Sequence, residues 1–440
     1  MCSTARRSSP PPGSSGSHTH RPQPPGSPEP GPPPAPSPLD WLVVGGGIHG
    51  THLSLALREA GVPAHRIRIL DPGPRLLNRW FDWTSRTGME HLRSPGVHHI
   101  GLAPFALLRF ADRRGRRRRE MKGRTRRPSV ELFRDHSLQV IREADLDALL
   151  LRGSLEAIGP HPRGGLQVET DRGVLHTRRL LLAPGQPPPS GGPKWVPGLR
   201  EAGLPVVPLF GPDFPLGDLA RSACRTGRPI VVVGGGISAV QLALRLVRDE
   251  VPVALVSRHP LRIHRLDSDP GWMGPRNLAA FRAQPDPARR RQIIVEARHR
   301  GSVPDPLARA LRAAAVRTDL ELLLARRILG SARHGDPPGE PALLLDGGEI
   351  LPASSVVLAT GVGEGVPGAS WIRDTSHRLG LPLAGCGFPR VDGGLHWGEG
   401  IQCSGGLAEL ELGPAARNIV GARMAAARVL ETDPTGTGPA

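Results

Sequence analysis

One pattern occurs twice in this chain, and it restricts the fold more than any other feature. The first copy runs Trp41-Leu42-Val43-Val44, then Gly45-Gly46-Gly47-Ile48-His49-Gly50. A helical stretch through Leu53, Ala56 and Leu57 follows, and a second apolar run, Ile67 to Leu70, ends at Asp71. The second copy runs Ile230-Val231-Val232-Val233, then Gly234-Gly235-Gly236-Ile237-Ser238-Ala239, then Leu242, Leu244 and Leu246. Its second apolar run, Val253 to Val256, ends at Ser257-Arg258. Each copy predicts a strand, a glycine turn, a helix and a second strand. A pyrophosphate must come close to the backbone at a helix N-terminus, where unpaired N–H groups and the helix dipole favour negative charge. Glycine serves the tight turn, the absence of a side chain against the phosphates, and close helix-to-strand packing. Gly45, Gly47 and Gly50 meet GxGxxG, and Gly234, Gly236 and Ala239 meet GxGxxA. The pair predicts two dinucleotide sites.

The end of the second strand separates the two sites. Asp71, 21 residues after Gly50, suits hydrogen bonds to the hydroxyls of an adenosine ribose, as in FAD or NAD. Ser257 and Arg258 hold the matching place in the second copy. They offer a hydroxyl and a guanidinium, the pairing expected for the 2′-phosphate of NADPH.

From Asp40 onward, short apolar runs alternate with amphipathic stretches, which predicts a mostly parallel α/β sheet protein. The runs Arg179 to Leu182 and Val356 to Leu358 read as strands stopped by small residues, Ala183-Pro184-Gly185 and Ala359-Thr360-Gly361. Residues 285 to 316 read as two Arg-rich helices parted by Gly301, and Pro414 to Leu430 as a helix started by Gly413-Pro414. Residues 1 to 39 are dominated by Pro, Ser and Gly and predict a disordered, partly polyproline tail.

The chain has 440 residues, with 57 Lys+Arg against 40 Asp+Glu, a net charge of +17, and 38% apolar residues. That balance excludes collagen, a coiled coil and a wholly disordered chain. Only Lys122 and Lys194 are lysines and tyrosine is absent, so the charge reflects codon bias as much as a partner. Much of it sits in Arg113-Arg114-Gly115-Arg116-Arg117-Arg118-Arg119, without the interleaved aromatics that stack on single strands, which argues against nucleic acid. The run reads as a solvated loop, with an anionic membrane surface or an acidic redox partner as the alternative. Cys2, Cys224, Cys386 and Cys403 lie far apart with no metal-ligand spacing, so no metal is expected. Cys386 and Cys403 read as small buried hydrophobes. No apolar run suits a leader or a transmembrane segment, and the reading is a cytoplasmic protein.

FAD first, NADPH second and small-residue strand ends form a layout that resembles the two-dinucleotide-binding-domain flavoproteins, over about residues 40 to 430. The resemblance implies two Rossmann-like, doubly wound domains, the NADPH domain inserted in the FAD domain. Residues 40–194 are then the first part of the FAD domain, 195–362 the NADPH domain and 363–440 the C-terminal part of the FAD domain. Within that superfamily, Arg79-Trp80-Phe81-Asp82-Trp83-Thr84-Ser85-Arg86-Thr87-Gly88-Met89 is similar to the Phe-x-Trp-His-x-Gly-Met region of the lysine/ornithine N-hydroxylases. Pro128-Ser129-Val130-Glu131-Leu132-Phe133 is similar to their Pro-x-x-x-x-Phe stretch. The chain departs from that pattern at Ser354 and Val362, where those enzymes usually hold the Asp before, and the Tyr within, their Leu-Ala-Thr-Gly-Tyr.

The resemblance places the segment Trp83 to Ile100, with Met89, His91, Arg93, His98 and His99, against the isoalloxazine ring. His98 and His99 are then candidate proton donors tuned near neutrality, and Arg93 a candidate for NADP⁺ or an anionic substrate. Gly406 and Leu407, before a predicted helix start, are candidates to hydrogen-bond the flavin pyrimidine and to offer the dipole to its N1. A flavin reduced by NADPH passes its electrons to a disulfide, a protein partner or oxygen, and no cysteine pair stands near the first glycine motif. The reading is therefore an FAD- and NADPH-dependent monooxygenase acting with oxygen, through a C4a-hydroperoxyflavin, on a small nucleophilic substrate such as an amine. The alternatives are a reductase that serves a protein or quinone acceptor and a non-catalytic dinucleotide-binding sensor.

Overall fold

A computed structural model describes residues 38–186, 192–318, 320–335, 339–363, 365–398 and 400–431. Of the predicted tail, residues 1 to 39, all up to residue 37 lies outside the described residues, and Leu39 already belongs to the first strand.

Strand β1 (Leu39–Val44) leads through the first glycine turn into α1 (Ile48–Glu59), and β2 (Ile67–Asp71) returns beside it. Both faces of these strands are covered, which is why they read as continuous apolar runs: Leu42, Val43, Ile67 and Ile69 have no exposed surface. Helix α2 (Asn78–Thr87) follows and is stopped by Gly88 in the left-handed conformation, φ 66°. Strands β3 (Leu150–Arg152) and β4 (Gly173–Leu182) come next.

The chain then builds a second sheet from β5 (Val206–Pro208), β6 (Ile230–Val233), β7 (Val253–Ser257), β8 (Glu321–Leu324) and β9 (Ser355–Leu358). Helix α3 (Ile237–Arg248) joins β6 to β7, and α4 (Pro287–Ala297) and α5 (Asp305–Arg317) lie between β7 and β8. Finally β10 (Ile401–Cys403) returns to the first sheet, and α6 (Ile419–Leu430) packs along α1.

The first sheet has the order β10-β4-β1-β2-β3, with each of these neighbouring pairs parallel. An antiparallel ribbon, Leu155–Pro160 with Leu166–Thr170, extends from β4, and His396–Gly398 forms the edge beyond β10. The second sheet has the order β8-β7-β6-β9-β5 and is parallel throughout. In both sheets the strand before the glycine turn is central, and its two neighbours diverge in sequence. This is a topological switch point, where doubly wound sheets open a crevice. The expected α/β class is therefore observed.

Three local expectations are corrected. The C-terminal helix starts at Ile419 rather than Pro414, because residues 413–418 turn tightly, with Ala416 N–H donating to Gly413 and Asn418 N–H to Ala415. Cys386 is exposed, as is Cys224, and among the described residues only Cys403 on β10 is a buried cysteine. The arginine run is not a free loop at Arg116, which pairs with Glu120 and Asp135, both at 2.6 Å. Arg117 pairs with Asp112 at 2.7 Å, while Arg113, Arg114 and Arg118 stay exposed.

Candidate functional site

The two glycine turns are built alike. A Cβ on Gly45 (φ 105°) would stand 2.2 Å from the Ala183 carbonyl oxygen, and one on Gly234 (φ 150°) 2.4 Å from that of Ala359. The small-residue strand ends are thus explained: each brings its backbone against the first glycine of a turn. A Cβ on Gly50 would fall 1.7 Å from the Gly45 carbonyl oxygen, so the third glycine lets α1 pack on its own turn. The middle glycine differs. Nothing lies within 4 Å of the Cβ position at Gly47, which caps α1 without a side-chain hydrogen bond and with no acid in the first turn. Gly236 caps α3 in the same way. Both helix N-termini therefore keep donors and a positive dipole end for an anion.

Asp71 ends β2 beside the first turn. Its Oδ2 accepts from Gly46 N–H at 2.7 Å and its Oδ1 from Gly73 N–H at 2.8 Å. Those bonds fix the carboxylate and leave it lone pairs for ribose hydroxyls. Opposite the turn, His49 Nδ1 lies 2.8 Å from Ser404 Oγ and its Nε2 3.0 Å from the Asn418 carbonyl oxygen. Its crowded niche pushes the imidazole down to about 4, against the pull of the Asn418 carbonyl. The His49 ring also stands 3.6 Å from the Cβ position of Gly405, so the Gly405–Ala408 turn containing Gly406 and Leu407 is brought to the start of α1. That turn leads only into a four-residue helix, Glu409–Leu412. The helix start expected after Leu407 is thus a short one, and the long C-terminal helix begins beyond Asn418.

Beneath this turn lies a buried ionic cluster that the sequence analysis did not find. Glu409, 1% exposed, receives Arg417 Nε at 2.6 Å and pairs with Arg291 of α4. Arg417 also donates to Gln186 at 2.9 Å, and its second terminal nitrogen is buried without a partner. Arginines in an arginine-rich chain carry no local signature, so only the three-dimensional arrangement marks these.

A cavity of about 990 Å³ opens at the second turn, lined by Gly234, Gly236, Ser257, Arg258, Arg262 and Thr360 among others. Arg258 is exposed, and no carboxylate among the described residues pairs with it. The Ser257 hydroxyl is less free than expected, since it donates to the His259 carbonyl at 2.8 Å. Ala239 is fully buried behind the turn. Arg93 reaches this cavity from the first half of the chain and donates to the carbonyls of Arg265 and His264 at 3.0 and 2.8 Å and to Ser302 Oγ at 2.9 Å. Its guanidinium thus ties the two halves together at the rim.

The other residues of that segment go elsewhere. Trp83 packs on Phe210, with ring centroids 4.6 Å apart, and Met89 packs on the first core. His99 Nδ1 accepts from Gly101 N–H at 3.1 Å and its Nε2 donates to the Pro104 carbonyl at 3.1 Å. Burial pushes His98 down to about 4 and His99 to about 3. The expectation that they titrate near neutrality is corrected: both are neutral at pH 7 because the charged form would be desolvated. Among the described residues no cluster of three or more His, Cys, Asp or Glu is placed to hold a metal ion, and no helix is long and apolar enough to cross a membrane.

Two switch-point crevices, each at an uncapped helix N-terminus behind a glycine turn, define a fold of two doubly wound, Rossmann-like halves. Comparison with solved structures gives the same fold. The ornithine N-hydroxylase of Kutzneria sp. 744, solved with reduced FAD, NADP⁺ and L-ornithine, has a TM-score of 0.69 at 16% identity, covering 90% of this chain and 98% of that one. The FAD-bound cadaverine monooxygenase of desferrioxamine biosynthesis from Erwinia amylovora has a TM-score of 0.67 at 16% identity, covering 90% and 94%. A bacillithiol disulfide reductase from Bacillus cereus is more distant, at 0.51 and 16%, covering 89% and 100%. No family model and no curated protein sequence matches the chain.

Proposed function

We propose that this chain is an FAD- and NADPH-dependent monooxygenase acting on a small amine. One observation carries the reading: two uncapped helix N-termini behind glycine turns, the first strand pair ending in a carboxylate and the second in an unpaired arginine. Residues 40–194 and 363–440 hold FAD in this reading, and residues 195–362 hold NADPH. The FAD pyrophosphate lies on the α1 N-terminus at Gly45, Gly47 and Gly50, Asp71 takes the adenosine ribose, and the turn at Gly406 and Leu407 takes the pyrimidine edge. NADPH lies on Gly234, Gly236 and Ala239, with Arg258 on its 2′-phosphate. Bound flavin, reduced by NADPH, supplies the oxygen chemistry. The protein's own part is to bind, to orient and to exclude water, and Arg93 positions the nicotinamide half by holding residues 264, 265 and 302. The structural likeness to two amine monooxygenases supports the substrate class.

The test is a visible spectrum of the purified protein, anaerobic addition of NADPH, then oxygen. Copurifying FAD, bleaching by NADPH and hydrogen peroxide formed in air without substrate are expected. Colourless protein that FAD does not reconstitute overturns the cofactor assignment, and strict dependence on a disulfide or quinone overturns the monooxygenase. For cofactor choice, Arg258→Ala should weaken NADPH by about ten- to a hundredfold, as loss of a charge-assisted hydrogen bond of roughly 1.5–3 kcal/mol implies. NADH should change little in kcat/KM for flavin reduction. Equal losses would assign Arg258 to the shared pyrophosphate.

A further inference from the structure

A second cavity, of about 560 Å³, lies apart from both glycine turns. Its walls come from α3 and α5 on one side and, on the other, from Gly88, Glu90 and His91 and the antiparallel pair Met121–Lys122 with Arg127–Pro128. The size falls within the roughly 300–1,000 Å³ of pockets that hold small molecules. Leu244, Val247, Leu307 and Ala314 make one wall apolar.

The polar lining is one-sided. Lys122, Arg127 and Arg317 face it, and no carboxylate among the described residues pairs with any of the three. The one acid in the lining, Glu90, is taken by Arg248. Two further groups are unfinished. Gln241, 4% exposed, buries its Oε1 without a partner, and His91 buries its Nε2 without one. Both residues also line the cavity, beside the three cations.

We propose that this cavity binds an amphipathic carboxylate, its head between Lys122 and Arg127 and its aliphatic chain along α3 and α5. Charge complementarity selects the acid, and the apolar wall selects a chain over a free inorganic anion. Both halves of the molecule supply walls, so the ligand joins them and raises the melting temperature by binding only the folded state. The inference does not rest on the flavin reading.

The experiment is calorimetric titration of the full-length holoprotein with sodium octanoate, with octan-1-ol as the uncharged control. One saturable site per chain is expected, with octanol about tenfold weaker or more, and a rise in melting temperature. The double variant Lys122→Ala/Arg127→Ala should weaken octanoate by about tenfold or more and leave octanol unchanged, since about tenfold corresponds to one charge-assisted hydrogen bond. Ala310→Trp, at an exposed position of the α5 wall, should block both ligands and serves if the double variant fails to fold. No saturable binding into the millimolar range, equal affinity for octanol, or binding that survives Ala310→Trp overturns the proposal.

Discussion

Glycines that look identical in the sequence have opposite consequences once the backbone is known. Gly47 has ordinary φ (−76°) and open space beside it, so Gly47→Val should leave the flavin-free protein's melting temperature unchanged while filling the space a phosphate needs. FAD content after reconstitution should fall to background, and full retention would refute the site. Gly50→Ala should instead cost about 3 kcal/mol or more in denaturant unfolding, because its methyl meets the Gly45 carbonyl oxygen. Spacing alone made the glycines legible, but not this division of labour. The Glu409 cluster was illegible altogether. Glu409→Gln leaves Arg417 and Arg291 without their carboxylate, and removing one member of a buried pair typically costs about 3–5 kcal/mol. Equilibrium unfolding of the variant measures that loss, and a change below about 1 kcal/mol would mean that water or Gln186 replaces the carboxylate.

Helix α1, the loop holding His98 and His99, and the helix Val130–Glu143 carry a set of neutral histidines. His52 Nδ1 bonds the Ile100 carbonyl at 2.7 Å, His99 bonds Pro104, and His136 packs edge-on against His99 at 5.0 Å. Burial pushes His52, His98 and His136 down to about 4 and His99 to about 3, against 6.5 for the ordinary imidazole. The unfolded chain therefore binds more protons than the folded one between about pH 6.5 and 4. Stability is full above that window and falls as pH falls through it, by about 1.4 kcal/mol per pH unit for each histidine that stays neutral. Denaturant unfolding at pH 7.5 and 5 should show the drop, and His99→Phe should lessen it; a flat profile would mean that these rings protonate without unfolding the chain. Elements with strong periodicity, such as β1, α1, β6 and α3, were readable from the sequence because strand, turn and helix signals agree there. The start of α6 was not, because Gly413-Pro414 serves a turn as readily as a helix, and Asn418 proves to be the boundary. The course of the segment from Trp83 to Ile100 was not readable from its own residues for a related reason: its direction is set by contacts with Phe210, Arg245 and residues 264–302, all remote in sequence.

At the scale of the whole molecule the two halves are joined by arginines acting as donors to carbonyls. Arg245 of α3 donates to Ser85 at 2.6 Å and Arg86 of α2 donates to Gly211, while a Cβ at Gly88 would already touch the Arg245 side chain at 2.8 Å. An arginine excess that looked like codon bias thus also fastens the fold. The first sheet, however, is not closed by the first half of the chain. Strand β10 pairs with β4, and α6 lies along α1, so residues beyond 400 complete what residues before 183 begin. This sets an order of events during synthesis. The second sheet, between Val206 and Leu358, can close as soon as its last strand clears the ribosome, whereas the first must wait for nearly the whole chain. A chain ending at residue 400 should therefore keep a protease-resistant core spanning the second sheet and retain no FAD, and recovery of a flavin-loaded truncated chain would show that the amino-terminal strands assemble their site unaided. Nascent chains of this protein would then pass through a short late interval, from Leu358 to the end of α6, in which the second sheet is closed and the first still lacks its last strand and the helix that covers it.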